Sequence, residues 1–257
     1  MNSKIDKELV RKRFSKYLAA YDSLAVVQQT IAETLAGHFS GCMPQKLGSV
    51  LEIGCGTGFL TRQLLKHAHI KKSYLNDLVE QAPLLLGNRL QSAPNLSDIV
   101  LLPGDAEVVP FPEAIDLVAS ASVLQWLEDL RGFFSKTAAA LRPGGWFVFN
   151  LFGTDNLHQM KALTGSGLRY FSPEEIRQWL EERFEVVELT RQTIRQQFDS
   201  PFDVLRHLQQ TGVTATGEFR WTPGSLRCFE RDYVRLYSES GGVFLDWDVM
   251  YVIARKI

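Results

Sequence analysis

The sequence predicts an α/β fold in which helices cover a mostly parallel sheet, and three observations support this. Short apolar runs, "SVLEI", "SYLND", "IVLLPGD" and "IDLVASAS", alternate with segments of helical periodicity, the rhythm of strand–helix–strand crossovers. A glycine turn, "LEIGCGTGFL" at 51–60, closes the first run and leads into a helical segment. Hydrophobic residues make up 45% of 257 positions, ample for a packed core, and no repeat or low-complexity tract interrupts the pattern.

Residues 5–18 and 24–39 read as helices; in the second, Leu24, Val27, Ile31 and Leu35 recur at helical steps. "GCMPQKLGS" then breaks the pattern. Helices over 59–68, 80–91, 129–141 and 173–183 alternate with the strands, which continue through "GWFVFNLFG" and "FEVVELTRQTI". Near the end, "SPFDVLRHLQQTG" and "TPGSLRCFERDYVRLYSE" each open on Ser or Thr followed by Pro, a helix-start signal. "VFLDWDVMYVIARK" is the last strand. Two helices between the final two strands belong at one end of the sheet, where a lid would sit. The expectation is one domain over 1–257, with capping helices in 1–40, a ligand-binding core in 49–153 and a helical lid in 199–240.

A formal charge of −1, from 28 basic and 29 acidic residues, gives no overall field toward nucleic acid or an anionic membrane. The charged start "MNSKIDKELVRKRF" and the lack of an 18-residue apolar run predict a soluble, cytoplasmic chain. Cys42, Cys55 and Cys228 lack the spacing of a zinc site or a disulfide framework, so reduced thiols and no metal are expected.

A strand ending in a glycine turn before a helix sets backbone N–H groups and a helix N-terminus beside a ligand. Nicotinamide and flavin sites do this with G-x-G-x-x-G, but the last glycine would fall on Phe59. The pattern here is Gly54, Gly56, Gly58. Asp77, closing the next run, stands where a carboxylate can take both hydroxyls of a ribose. Asp105 and Ala106 end the third, where an adenine ring could rest and donate its amine. Glu52 either orients the turn and an ammonium group or caps nearby backbone. Cys55 reads as a small residue in a crowded turn.

This series, with "LRPGGWFVF" at 141–149, resembles the class I S-adenosylmethionine-dependent methyltransferases. The resemblance implies a Rossmann-like, mostly parallel seven-stranded sheet and S-adenosylmethionine as methyl donor. It implies a donor site drawn from Tyr21, Glu52, Gly54, Gly56, Gly58, Asp77, Leu78, Asp105, Ala106, Ser120 and Ala121.

Further stretches narrow it. "FSKYLAAYDSLAVVQ", "ASVLQWLEDL", "LTGSGLRYFSPEEI" and "FDSPFDVLRHLQQTGVTA" resemble the malonyl-acyl-carrier-protein O-methyltransferases of biotin synthesis, over nearly the whole chain. Gln125-Trp126 and the run from Asp203 to Val213 are the most telling; Asn76 and the tail "ARKI" depart from the pattern. The implied acceptor is the free carboxylate of a malonyl thioester, on acyl carrier protein or coenzyme A, and the implied product is the methyl ester that primes pimeloyl synthesis. A carboxylate with a pKa of about 4 is already ionised at pH 7, so no general base is expected. Positioning groups are expected instead: Gln125, Trp126, Arg169, Tyr170 and Arg206, with the two arginines competing to fork the carboxylate. Tyr21 either folds over the donor or packs; His207 reads as a helix-packing or capping residue. The basic faces at Lys7, Arg11, Lys12, Arg13 and Lys16 and at Arg227, Arg231 and Arg235 either dock an acidic carrier or are solvated. A monomer is expected. Two other readings stay open: a methyltransferase for another small acid or a quinone-like phenol, which would need a base, and a non-catalytic protein that binds the donor without transfer.

Overall fold

The computed structural model describes residues 5–212 and 221–257. Val213, Thr214 and Ala215, the end of the fourth stretch quoted above, and the middle of the expected 199–240 lid lie outside the described residues.

The chain begins with α1 (Lys7–Tyr17), a 3-10 turn (Leu18–Ala20), α2 (Tyr21–Leu24) and α3 (Val26–Ser40). A parallel series follows: β1 (Lys46–Ile53), α4 (Phe59–His67), β2 (His69–Asp77), α5 (Gln81–Leu90), β3 (Leu96–Pro103) and β4 (Ile115–Ser120). After a 3-10 turn (Leu124–Trp126) come α6 (Leu130–Ala140), β5 (Leu141–Phe152), α7 (His158–Thr164), α8 (Pro173–Leu180) and β6 (Phe184–Phe198). The last elements are α9 (Pro201–Gln210), α10 (Pro223–Tyr237), β7 (Ser238–Glu239) and β8 (Gly242–Lys256).

The sheet order is β3-β2-β1-β4-β5-β8-β6, and only β8 on this path runs against its neighbours. The expected seven strands are joined by an eighth, the two-residue β7, which pairs with the start of β8. The chain leaves β1 for β2 and β3 on one side, then returns to β4 on the other. The carboxyl end of β1 is therefore a switch point, where open α/β sheets leave a crevice.

Strand side chains alternate between two cores. Val50, Leu117, Ala119 and Val148 pack under α3 and α4, and Leu51, Ile53, Val118, Phe147 and Phe149 pack against α6 and α8. On α3 the expected Val27, Ile31 and Leu35 are all buried, but the helix starts at Val26, because Ala25 (φ −92°, ψ 49°) breaks it from Leu24. Helix α1 has much less apolar anchorage, burying Val10 alone.

Strands β6 and β8 outrun the sheet: Phe152 of β5 pairs with Val249, while β6 continues to Phe198 opposite Val243. This two-stranded arm carries α9 and α10 at the carboxyl end of the parallel strands. Both helices start where the sequence predicts, with Ser200 and Thr222 capping in front of Pro201 and Pro223. Two arginines satisfy the arm's buried acids. Arg195 pairs with the directly opposed Asp246 (2.8 Å), and Arg191 forks Asp248 (2.6 and 2.7 Å). Helix α7, for which the sequence gives no signal, lies beside α10.

Candidate active site

The glycine turn follows β1 directly, and its three glycines have different reasons to be there. All adopt positive φ, at 69°, 51° and 92° for Gly54, Gly56 and Gly58. A Cβ on Gly54 would stand 2.1 Å from Val123 Cγ2 and one on Gly58 2.4 Å from Leu86 Cδ1, whereas Gly56 faces open space. The turn is thus pressed between neighbours at both ends and open in the middle.

Asp77, at the end of β2, holds the turn. Its Oδ2 accepts the Gly56 amide and its Oδ1 the Val79 amide, both at 2.8 Å. Burial raises its carboxyl to about 6, while the two amides pull the other way. Beside it, Asn76 donates to the Leu102 and Gly104 carbonyls and so ties β2 to the end of β3. Glu52 lies beneath the turn with Oε2 accepting from the Thr61 hydroxyl at 2.5 Å; burial raises it to about 7.

A cavity of about 130 Å³ opens at these strand ends. Among the expected donor residues, Tyr21, Glu52, Gly54, Gly56, Asp77, Leu78, Asp105, Ala106 and Ala121 line it. Gly58 and Ser120 do not: Gly58 caps α4 against Leu86, and the buried Ser120 hydroxyl donates to the Ile53 carbonyl, joining β4 to β1. Tyr21 stands between Phe14 and Phe59, and burial raises its phenol well above the ordinary range.

Helix α1 supplies walls that the sequence reading missed. Lys7 reaches over to Asp105, donating to Oδ2 at 2.6 Å, and also pairs with Glu107. Of the two readings of that basic face, carrier docking or plain solvation, Lys7 fits neither, since its charge is spent inside the cleft. Its signal in the sequence was only one basic residue among several. Gln28, Thr57 and Ser122 also line the cavity, each with a buried side-chain oxygen lacking a hydrogen-bond partner among the described residues.

A second cavity, of about 800 Å³, lies between α1, α7 and α9. A pinch of about 20 Å³ adjoins both: it shares Phe14, Tyr21 and Trp126 with the first and Asn156, Leu168 and Tyr170 with the second. Gln125, Trp126 and Tyr170 meet there. Gln125 donates from Nε2 to the Ser122 carbonyl (2.8 Å), and the buried Trp126 Nε1–H has no partner among the described residues. The two arginines are placed elsewhere. Arg206, 64% exposed and paired with Asp203, lines the larger cavity, and Arg169 lies over the Phe171 ring and lines neither cavity. Burial raises the Tyr170 hydroxyl to about 12. His207 is buried against Phe198 and Trp247 and pushed down to about 4, consistent with a packing residue.

The site suits the expected donor on this structure's own terms. Asp77 spends one lone pair on each oxygen, leaving acceptor capacity for two hydroxyls, and the unpartnered groups of Gln28, Thr57 and Ser122 offer partners to an amino-acid end. Switch-point topology, the Gly54–Gly58 turn and the carboxylate beneath it define a class I S-adenosylmethionine-dependent methyltransferase. A family model described as a methyltransferase domain matches residues 51–149. Among solved structures, the YcgJ protein of Bacillus subtilis shares the fold at TM-score 0.61 and 14% identity, over 87% of this chain and 98% of that one. The N-methyltransferase NodS from Bradyrhizobium japonicum, in complex with S-adenosyl-L-homocysteine, does so at TM-score 0.55 and 18% identity, over 96% and 98%.

Full-length relatives are more specific. The malonyl-[acyl-carrier protein] O-methyltransferase of Chlorobium luteolum is 38% identical over 98% of this chain and 96% of its own length. That of Porphyromonas gingivalis is 37% identical over 98% and 96%. A third, from Bacteroides fragilis, is 37% identical over 97% of this chain, which spans half of that longer relative. The chain belongs to the malonyl-[acyl-carrier protein] O-methyltransferase family.

Proposed function

We propose that this chain transfers a methyl group from S-adenosylmethionine to the free carboxylate of a malonyl thioester, carried on acyl carrier protein or coenzyme A. The product is the methyl ester that primes pimeloyl synthesis for biotin. What carries the reading is the pairing of near-full-length similarity to relatives of that name with a pinch that joins the donor cavity to a larger one.

The donor, when bound, supplies an electrophilic methyl on a sulfonium. The chain's residues position it: Asp77 takes hydroxyls, Asp105 an exocyclic amine and the Gly54–Gly58 turn the methionine end. Lys7 must leave Asp105 for this, and the cavity must widen, because about 130 Å³ is below the ~300 Å³ of a small-ligand pocket. Helix α1, with Val10 its only buried residue, is the element free to move.

At the pinch the acceptor carboxylate meets neutral donors. Among the described residues no Lys or Arg lines it, whereas the Trp126 N–H, the Tyr170 hydroxyl and the Gln125 amide do. Neutral donors hold a carboxylate in line without neutralising its charge, and alignment can contribute roughly 7–11 kcal/mol. Helices α9 and α10 serve as the lid that strips water from the nucleophile. A phenol would need a base, and His207, at about 4 and not among the residues lining the pinch, is poorly suited to that role.

The test supplies methyl-labelled donor with malonyl-carrier protein and then treats the product with mild base. Label released by saponification is the expected result; label that stays excludes an ester. Donor binding in calorimetry without transfer to any malonyl thioester would favour a non-catalytic binding protein.

A further inference from the structure

We propose that the larger cavity between α1, α7 and α9 receives the phosphate-bearing arm of the acceptor's carrier, its phosphate held by Lys12, Arg13, Lys16, Lys161 and Arg206. This rests on the reading above, and it assigns a cavity that the methyl transfer itself does not use. At about 800 Å³ the cavity has the size of a pocket for an extended small molecule.

Its chemistry is two-sided. Leu157, Met160, Leu168, Phe202, Leu205 and Leu208 give apolar walls that suit a flexible pantetheine-like chain. The five cations line the same space, and among its described lining residues none is acidic, in a chain whose formal charge is −1. Among the five, Arg206 is partly neutralised, its Nη1 donating to Asp203 at 2.7 Å from within its own helix. Lys16 lies over the Tyr17 ring at 5.0 Å, with its ammonium still available to an anion. A phosphodiester is the anion that this surplus fits, because it stays ionised at any working pH and offers oxygens to several cations together.

The geometry sets the direction. Tyr170 lines both the cavity and the pinch, so an arm lying in the cavity threads its thioester end past Tyr170 toward Trp126. The cations come from three helices, α1, α7 and α9, so binding the phosphate draws the N-terminal helix and the inserted pair together over the acceptor. The two basic faces expected from the sequence thus differ in use. Part of the α1 face points into this cavity, while Arg231 and Arg235 share Asp232 on α10.

Calorimetry on the full chain with S-adenosylhomocysteine present tests this, using 4′-phosphopantetheine and pantetheine as probes. The phosphorylated probe should bind at least about tenfold tighter, with the preference shrinking as salt is raised. The double variant Lys16→Glu, Lys161→Glu, both exposed, should abolish the preference while leaving S-adenosylhomocysteine affinity unchanged. Equal affinity for the two probes, or a preference that survives the double variant, overturns the proposal. Activity separates it from the reading on which it rests. Malonyl-pantetheine should be methylated at unchanged kcat and raised KM; if it is methylated with the KM of the phosphorylated form, only the cavity assignment fails. If no malonyl thioester is methylated but the phosphate preference stands, only the acceptor fails. The variant should weaken malonyl-coenzyme A and malonyl-carrier protein alike, and a loss confined to the carrier protein would mean that the cations dock its body, contrary to this proposal.

Discussion

Asn156 donates from Nδ2 to the Tyr170 hydroxyl at 2.8 Å, while its Oδ1 accepts the Asp248 amide of β8 at 3.2 Å. The asparagine is therefore anchored on the sheet with a fixed orientation, and it uses an acceptor lone pair of Tyr170 and not its proton. That proton is left for the acceptor proposed at the pinch. Asn156→Asp keeps the bond to β8 but presents a carboxylate that would capture the proton. Turnover should fall by about tenfold, the scale of one hydrogen bond to a charged group, with S-adenosylhomocysteine affinity unchanged. Unaltered kcat in steady-state assays would remove Tyr170 from the proposed site.

Trp126 makes a comparable prediction without a network. Its buried Nε1–H has no partner among the described residues, and its ring packs edge-on to Phe14 with centroids 6.1 Å apart. Trp126→Phe keeps much of the packing and deletes the donor. We expect kcat to drop by about tenfold and donor affinity to hold; a loss of donor affinity alone would place the indole on the other substrate.

The glycines can be ranked by unfolding in urea. Gly54→Ala combines a left-handed backbone, costing about 1–2 kcal/mol, with overlap onto Val123, costing about 1–3 kcal/mol more. Gly56→Ala has open space and should lose only the first amount. Adding Val123→Ala should return part of the stability lost by Gly54→Ala. Equal losses at the two glycines would contradict the close approach.

Glu52 gives a pH dependence with a definite sign. Its folded-state carboxyl is raised to about 7 from an ordinary 4.5, chiefly by burial. The folded chain binds that proton more tightly than the unfolded one, so the cost of the buried charge is full above about 7. It is relieved as pH falls toward 4.5. Glu52→Gln keeps an acceptor for Thr61 and removes the charge. In the absence of donor, the variant should melt above the wild type at about pH 8.5, and the gap should close at about pH 4. A gap independent of pH would show that Glu52 is ionised throughout.

Asp77 connects stability to binding. Asp77→Asn leaves one of the Gly56 and Val79 amides facing an NH₂ group, so both melting temperature and S-adenosylhomocysteine affinity should fall, the latter by at least about tenfold. A variant with full donor affinity by calorimetry would displace Asp77 from the proposed ribose site.

The strands and the switch-point turn were legible because local chemistry dictates them. Apolar runs of strand length, glycines where φ is positive, and Ser-Pro and Thr-Pro helix starts act over a few residues, and Asp77 and Asp105 follow from the crossover rhythm. Helix α7 was not legible, being seven residues long and buried largely through Gln159.

By itself the sequence determined the layered fold, the glycine cradle and the set of strand ends, since each depends on neighbours along the chain. Tertiary structure alone decided which charges face the site. Lys7 and Lys16 lie on one helix, yet the first crosses to Asp105 while the second lines the larger cavity. Arg206 and Tyr170 look equally able to hold an anion, yet only Tyr170 reaches the pinch. The physical reason is that a side chain's electrostatic partner is set by packing between elements far apart in sequence, and no local pattern encodes which long side chain arrives first.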